Sequence, residues 1–156
     1  MIKKIFTLTL FLFLYSCGYE VIHSKKNSFN YDFSISKINF IKNGDEDINL
    51  KIKEKLNNYT LDEKDKKFIL NIASKVDKEV IAKNKAGDPI TFRKTTTINV
   101  EVLMENNSTN KIKIIENFTY NNINNKFNLR RYEKEIRTNL AETASEKLIF
   151  KLSNIK

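Results

Sequence analysis

Cysteine, histidine, glycine, proline and tryptophan are scarce in this 156-residue chain: one Cys, one His, three Gly, one Pro and no Trp. A single Cys excludes a disulfide scaffold, and one Cys with one His leaves no all-protein zinc site. So little Gly and Pro excludes collagen-like and low-complexity classes. There is no glycine-rich phosphate loop, no nucleophile elbow and no paired set of His and carboxylates. His23 has no partner nearby in sequence, and the carboxylates fall mostly on expected helix surfaces, where solvation is the default. These absences argue against an enzyme and imply no cofactor and no metal. Long hydrophobic runs are missing too. The longest, Ile5–Leu14, has ten residues, about half of the ~20 that a helix needs to cross ~30 Å of hydrocarbon.

Hydrophobic residues make up 40% of the chain and aromatics 11%, enough for one small core and one domain. Basic residues outnumber acidic ones by 28 to 19, a formal charge of +9. That excess needs discounting. The chain has 24 Lys, 21 Asn and 20 Ile, all with A/T-rich codons, and only 4 Arg. A biased composition raises Lys without any binding role, so each Arg carries more information than each Lys. Charge alone would also suit a nucleic-acid binder. The export signal described next argues against nucleic acid, as does the lack of a basic strip interleaved with aromatics.

The chain opens MIKKIFTLTLFLFLYSC. Lys3 and Lys4 form a basic n-region, and Ile5–Leu14 forms the apolar h-region of a secretory signal. Leu14-Tyr15-Ser16-Cys17 then reads as a bacterial lipobox, with Leu three before Cys and a small residue just before it. The expectation is a signal peptide at 1–16 and a lipidated Cys17 at the new N-terminus. Several acyl chains, at ~0.8 kcal/mol per buried methylene, give a stable membrane anchor where one chain is marginal. Gly18 follows instead of the Asp that retains lipoproteins at the inner membrane, so the outer membrane is the expected destination. Loss of Lys3 and Lys4 with the leader lowers the formal charge from +9 to +7.

Residues 17–31 read as a lipidated tether and 32–156 as a single domain. Phe33–Ile41 is β-like, but Ile35 and Ile38 differ in parity, which implies a bulge or burial on both faces. Asp45–Tyr59 reads as a helix, with acids at its start and Ile48, Ile52, Leu56 and Tyr59 at helical spacing. Three long strands follow: Lys67–Ala82, Ile90–Glu105 and Lys111–Tyr120. They are separated by the turns Asn84–Pro89 and Asn106–Asn110. Such strands run ~35–50 Å at ~3.4 Å per residue, long enough to outrun the helices. Leu129–Leu152 is the strongest helix, with Tyr132, Ile136, Leu140, Ala144, Leu148 and Leu152 every fourth residue. The order β-α-β-β-β-α predicts an α+β two-layer sandwich, a mostly antiparallel sheet of about four strands on two helices.

These residues resemble a family. Cys17-Gly18-Tyr19 resembles the Cys-Gly-aromatic start of mature LPS-assembly lipoproteins (LptE). Ala82–Val102, with its Gly turn and Thr-rich strand, looks like that family's central hairpin, and Tyr132–Leu152 with Ser153-Asn154-Ile155 resembles its last helix and tail. The resemblance implies a non-enzymatic outer-membrane lipoprotein. It would plug and help assemble the LptD β-barrel from the periplasmic side and bind lipopolysaccharide through basic residues. Carried over by position, those residues are Lys85, near the hairpin Gly87, and Arg131, at the start of the last helix. Arg130 and Arg131 also stand out without the resemblance. Cations in a first helical turn are unfavourable by about 0.3–1 kcal/mol each, and guanidinium forks suit phosphates. A solvated pair, or one bridged to Glu133 and Glu135, is the plain alternative. Arg93 and Lys94 would extend the patch. A different outer-membrane lipoprotein, acting as a barrel-assembly or lipid-binding module, remains the alternative function.

Overall fold

A computed structural model describes residues 31–42, 44–61 and 63–155. The expected signal peptide, Cys17, His23 and all of the tether but Tyr31 lie outside the described residues. The elements are β1 (Ser34–Phe40), α1 (Glu46–Leu56), a short 3-10 turn (Asn57–Tyr59), β2 (Lys67–Lys83), β3 (Pro89–Met104), β4 (Thr109–Asn121) and α2 (Lys126–Ser153). The sheet order is β1-β2-β3-β4, with β1 parallel to β2 and the other pairs antiparallel. This is the expected α+β sandwich, with both helices on one face of an open sheet. Of the two readings open for β1, the register shift is present, between Ile35 and Lys37.

Each element follows from local chemistry. Asp45 caps α1 by accepting from the Ile48 backbone N–H at 3.1 Å, and its own backbone N–H donates to Ser74 Oγ at 3.0 Å. Gly44 sits where a Cβ would stand 2.8 Å from Asn49 and 3.0 Å from Ser74. A side chain there would displace the Asn49 amide and disturb its 2.7 Å hydrogen bond from Ser74 Oγ. Asn125 caps α2, accepting from Phe127 and Asn128 backbone N–H groups. At the other end Ile155 folds back into the core, and Lys66 Nζ donates to its carbonyl at 2.9 Å.

Two apolar clusters result. The larger joins the lower halves of β2, β3 and β4 to β1, α1 and the C-terminal half of α2, where Ala141, Ala144 and Ser145 let the backbones approach closely. At its rim Tyr31, expected to end the tether, packs with Phe33 and Tyr59 at centroid distances of 6.0 and 6.2 Å. The smaller cluster holds Phe92, Tyr120, Ile136 and Leu140, with Leu129 and Tyr132 against it. It seats the N-terminal half of α2 near the β2–β3 hairpin end.

Candidate functional site

The β2–β3 turn and the start of α2 lie at the same end of the sheet. Asn84 and Asp88 close the turn: Asn84 N–H donates to the Asp88 carbonyl at 2.9 Å, and Asp88 N–H donates to Asn84 Oδ1 at 2.8 Å. Gly87 takes φ 91°, a left-handed conformation that costs glycine nothing. β4 ends opposite Thr91, and the loop to α2 is tied to β3 by Asn122, whose backbone N–H donates to the Ile90 carbonyl and whose side chain donates to the Pro89 carbonyl, both at 2.8 Å.

Lys85 is exposed in the turn, beyond the Lys83–Pro89 pair. Arg130 and Arg131 are exposed on α2. Among the described residues, none of these three makes a side-chain hydrogen bond or ion pair. The neighbouring Tyr132 packs edge-on against Tyr120 at 5.9 Å, and Tyr120 is level with Phe92. Tyr132 therefore packs on strand residues about three positions back from the Lys83–Pro89 pair, roughly 10 Å along the strand. The arginines do not occupy the first turn. Asn125, a better cap than any later residue, starts the helix at Lys126, so Arg130 and Arg131 fall in the second turn, where the macrodipole penalty has faded.

Arg93 belongs to a different surface. It faces Glu79 at 3.5 Å and Thr119 at 3.4 Å, its cross-strand neighbours, on the open face away from the helices. Strand alternation sends consecutive residues to opposite faces, so Arg93 and Lys94 part company. Lys94 points under α2 and is only 3% exposed. Its Nζ donates to the Glu133 carbonyl at 3.1 Å and lies 3.5 Å from Glu133 Oε2. Lys78 Nζ and Tyr120 OH both donate to Glu133 Oε1, at 2.6 and 2.8 Å, and Lys78 also sits 3.9 Å over the Phe92 ring. One helical turn on, Arg137 reaches Asp47 at 2.8 Å and Asp45 at 3.6 Å, tying α2 to the start of α1.

Burial opposes the charge on Glu133, but the hydrogen bonds from Lys78 and Tyr120 and the Lys94 and Lys78 charges outweigh it and hold the carboxyl below its usual range. Burial pulls the Lys94 ammonium down, against the attraction of Glu133. Burial and the Glu133 hydrogen bond and charge push the Tyr120 phenol up. The sequence reading missed this cluster. Its signal was the parity of β3, which carries Lys94 and Thr96 on the same side as Phe92 and Ile98. Among the described residues no group of three His, Cys, Asp or Glu converges on a metal-sized site.

No family model matches the chain, and no curated protein matches it. Solved structures do share the fold. Rare lipoprotein B from Shewanella oneidensis superposes with TM-score 0.57 at 12% identity, over 78% of this chain and 96% of that one. A minor lipoprotein from Acinetobacter baumannii gives TM-score 0.58 at 8% identity, over 79% and 91%. Uncharacterized lipoprotein B from Nitrosomonas europaea gives 0.54 at 11%, over 79% and 86%. At such identities the likeness is one of fold.

Proposed function

We propose that this chain is a non-enzymatic outer-membrane lipoprotein that plugs and helps assemble an LptD-like barrel and binds lipopolysaccharide on its way to the cell surface. The observation that carries this reading is the shared fold with proteins described as lipoproteins, over nearly their whole length. The lipobox ending at Cys17 and the Cys17-Gly18-Tyr19 start support the same reading from the sequence. Lys85, Arg130 and Arg131 are its phosphate-binding residues, exposed at one end of the sheet. Arg93, on the open face, is a second and separate contact.

Depletion should lower correctly assembled barrel and surface lipopolysaccharide together, and the barrel should co-purify in mild detergent. Normal levels of both after depletion would refute the reading. The anion site is tested by Lys85→Glu with Arg131→Glu against Lys53→Glu with Lys113→Glu. Lys53 and Lys113 are exposed, whereas Lys55 is bridged to Glu142 and would disturb the helix pair. Charge-assisted contacts contribute about 1.5–3 kcal/mol each, so the first pair should weaken lipopolysaccharide binding at least about tenfold. Equal losses in both pairs would mean a diffuse Lys surface.

A further inference from the structure

The strand pairing expels two isoleucines at the hairpin end. Val80 pairs with Phe92 and Ala82 with Thr91, which leaves Ile81 as an extra residue on β2. Lys83 then pairs with Pro89, which leaves Ile90 extra on β3. These are two adjacent β-bulges on opposite strands, a device that re-aims side chains and ends regular pairing. Ile81 is 42% exposed and Ile90 45%, with Val80 beside them at 44%. Phe127, in the first turn of α2 at the same end, is 72% exposed.

Cations outnumber acids around these apolar groups, and Glu79, next to Val80, is paired with Arg93. Residues 80–91 and 121–132 contain five cations (Lys83, Lys85, Lys126, Arg130 and Arg131) and one acid, Asp88. Asp88 is engaged by the turn itself, accepting from Asn84 Nδ2 at 3.1 Å. We infer that this end of the sheet docks on the surface of an anionic bilayer. Val80, Ile81 and Ile90 enter the boundary between headgroups and acyl chains, and Lys83, Lys85, Lys126 and Arg130 meet lipid phosphates. Aliphatic tips flanked by cations are the composition that holds a protein at such an interface. A few half-exposed aliphatics offer a small part of the ~800 Å² that a stable protein interface takes from each partner. A fluid lipid boundary demands no matching shape. The inference goes beyond the proposed function, because phosphate binding needs the cations alone and leaves the expelled isoleucines without a role.

The chain has no Trp, so a single one reports cleanly on its own position. The mature protein, carried by its anchor in phosphatidylcholine vesicles, is titrated with acceptor vesicles that contain brominated chains. The acceptors are phosphatidylcholine alone or phosphatidylcholine with phosphatidylglycerol. In the Ile81→Trp variant, emission should shift to the blue and be quenched by the anionic acceptors only. The Phe150→Trp variant, exposed near the far end of α2, should stay unchanged. Within the Ile81→Trp background, Lys83→Gln and Lys85→Gln should each weaken acceptor binding roughly fivefold at low salt, the equivalent of about 1 kcal/mol per cation near an anionic surface. Retention in the donor vesicles tests the anchor separately, so failure of the lipoprotein reading and failure of the docking are distinguished. A silent Ile81→Trp variant, equal quenching by neutral acceptors, or equal quenching of both variants would overturn the inference.

Discussion

Glu133 holds more of this molecule's electrostatics than any other carboxylate described. Its two oxygens serve Lys78, Tyr120 and the buried Lys94. Removing one member of a buried pair leaves the other charge uncompensated, which costs about 3–5 kcal/mol in full burial. Glu133 keeps some solvent contact, so Glu133→Gln should destabilise by roughly 2–3 kcal/mol in urea unfolding. Lys94→Met should cost less than about 1 kcal/mol, because Glu133 retains Lys78 and Tyr120 while a buried charge is removed. A larger loss in Lys94→Met would contradict this account. The native pKa of Glu133 lies below the ordinary value. Its contribution is therefore complete above the unfolded pKa of about 4.3 and disappears as pH falls through the native pKa. The gap between wild type and Glu133→Gln should therefore hold steady above about pH 4.3 and narrow only as pH falls below it. Lys94 shows why one residue type cannot be read from composition. Most lysines of the chain are solvated, and the one that alternation places between Phe92 and Ile98 is not.

Among the elements, α2 divides into two parts. Its C-terminal half closes the main core, and its N-terminal half rests on the small aromatic cluster and the Lys94–Glu133 contact. The cap at Asn125 satisfies two N–H groups that would otherwise be orphaned. Asn125→Ala should lower stability by about 1 kcal/mol. Hydrogen exchange should quicken from Lys126 to Leu140 and remain slow from Ala141 to Leu152, because only the first stretch depends on the cap and the smaller cluster. Uniform acceleration along the helix would show that the two halves open as one. The four-residue spacing from Tyr132 to Leu152 locates this helix, but the helix begins at Lys126, three residues before the expected start at Leu129. Lys126, Phe127 and Asn128 are exposed and carry no apolar rhythm, so only the cap marks the boundary.

For the whole molecule, the proposed anchor and the proposed docking end are separate features, and each fails on its own. Labelled palmitate should enter the wild-type protein and be absent from Cys17→Ser, which should leave the membrane fraction. Equal labelling of both would remove the anchor. The sheet carries long antiparallel strands past the reach of α1, and β1 pairs with β2 only as far as Phe40 opposite Ile72. Most of the later half of β2 thus depends on β3 alone. That projecting hairpin is where the bulges, the exposed isoleucines and Lys85 lie.

Periodicity was sufficient for the α+β class, the element order, the two helices and the three long strands. The reason is that one-sided burial imprints a period of about 3.6 or 2 on the residues themselves. The turn at Asn84–Pro89 was legible for a similar reason, since it depends on neighbours in the chain. Pairing across the sheet left no such imprint. Whether Arg93 and Lys94 share a surface depends on which face α2 covers. The bulges at Ile81 and Ile90 depend on how the two arms of the hairpin register across their turn, and the burial of Lys94 depends on Glu133 arriving 39 residues later. The Lys94–Glu133 contact and the face that α2 covers join residues far apart in sequence, so they came into being only when the strands and α2 were packed together.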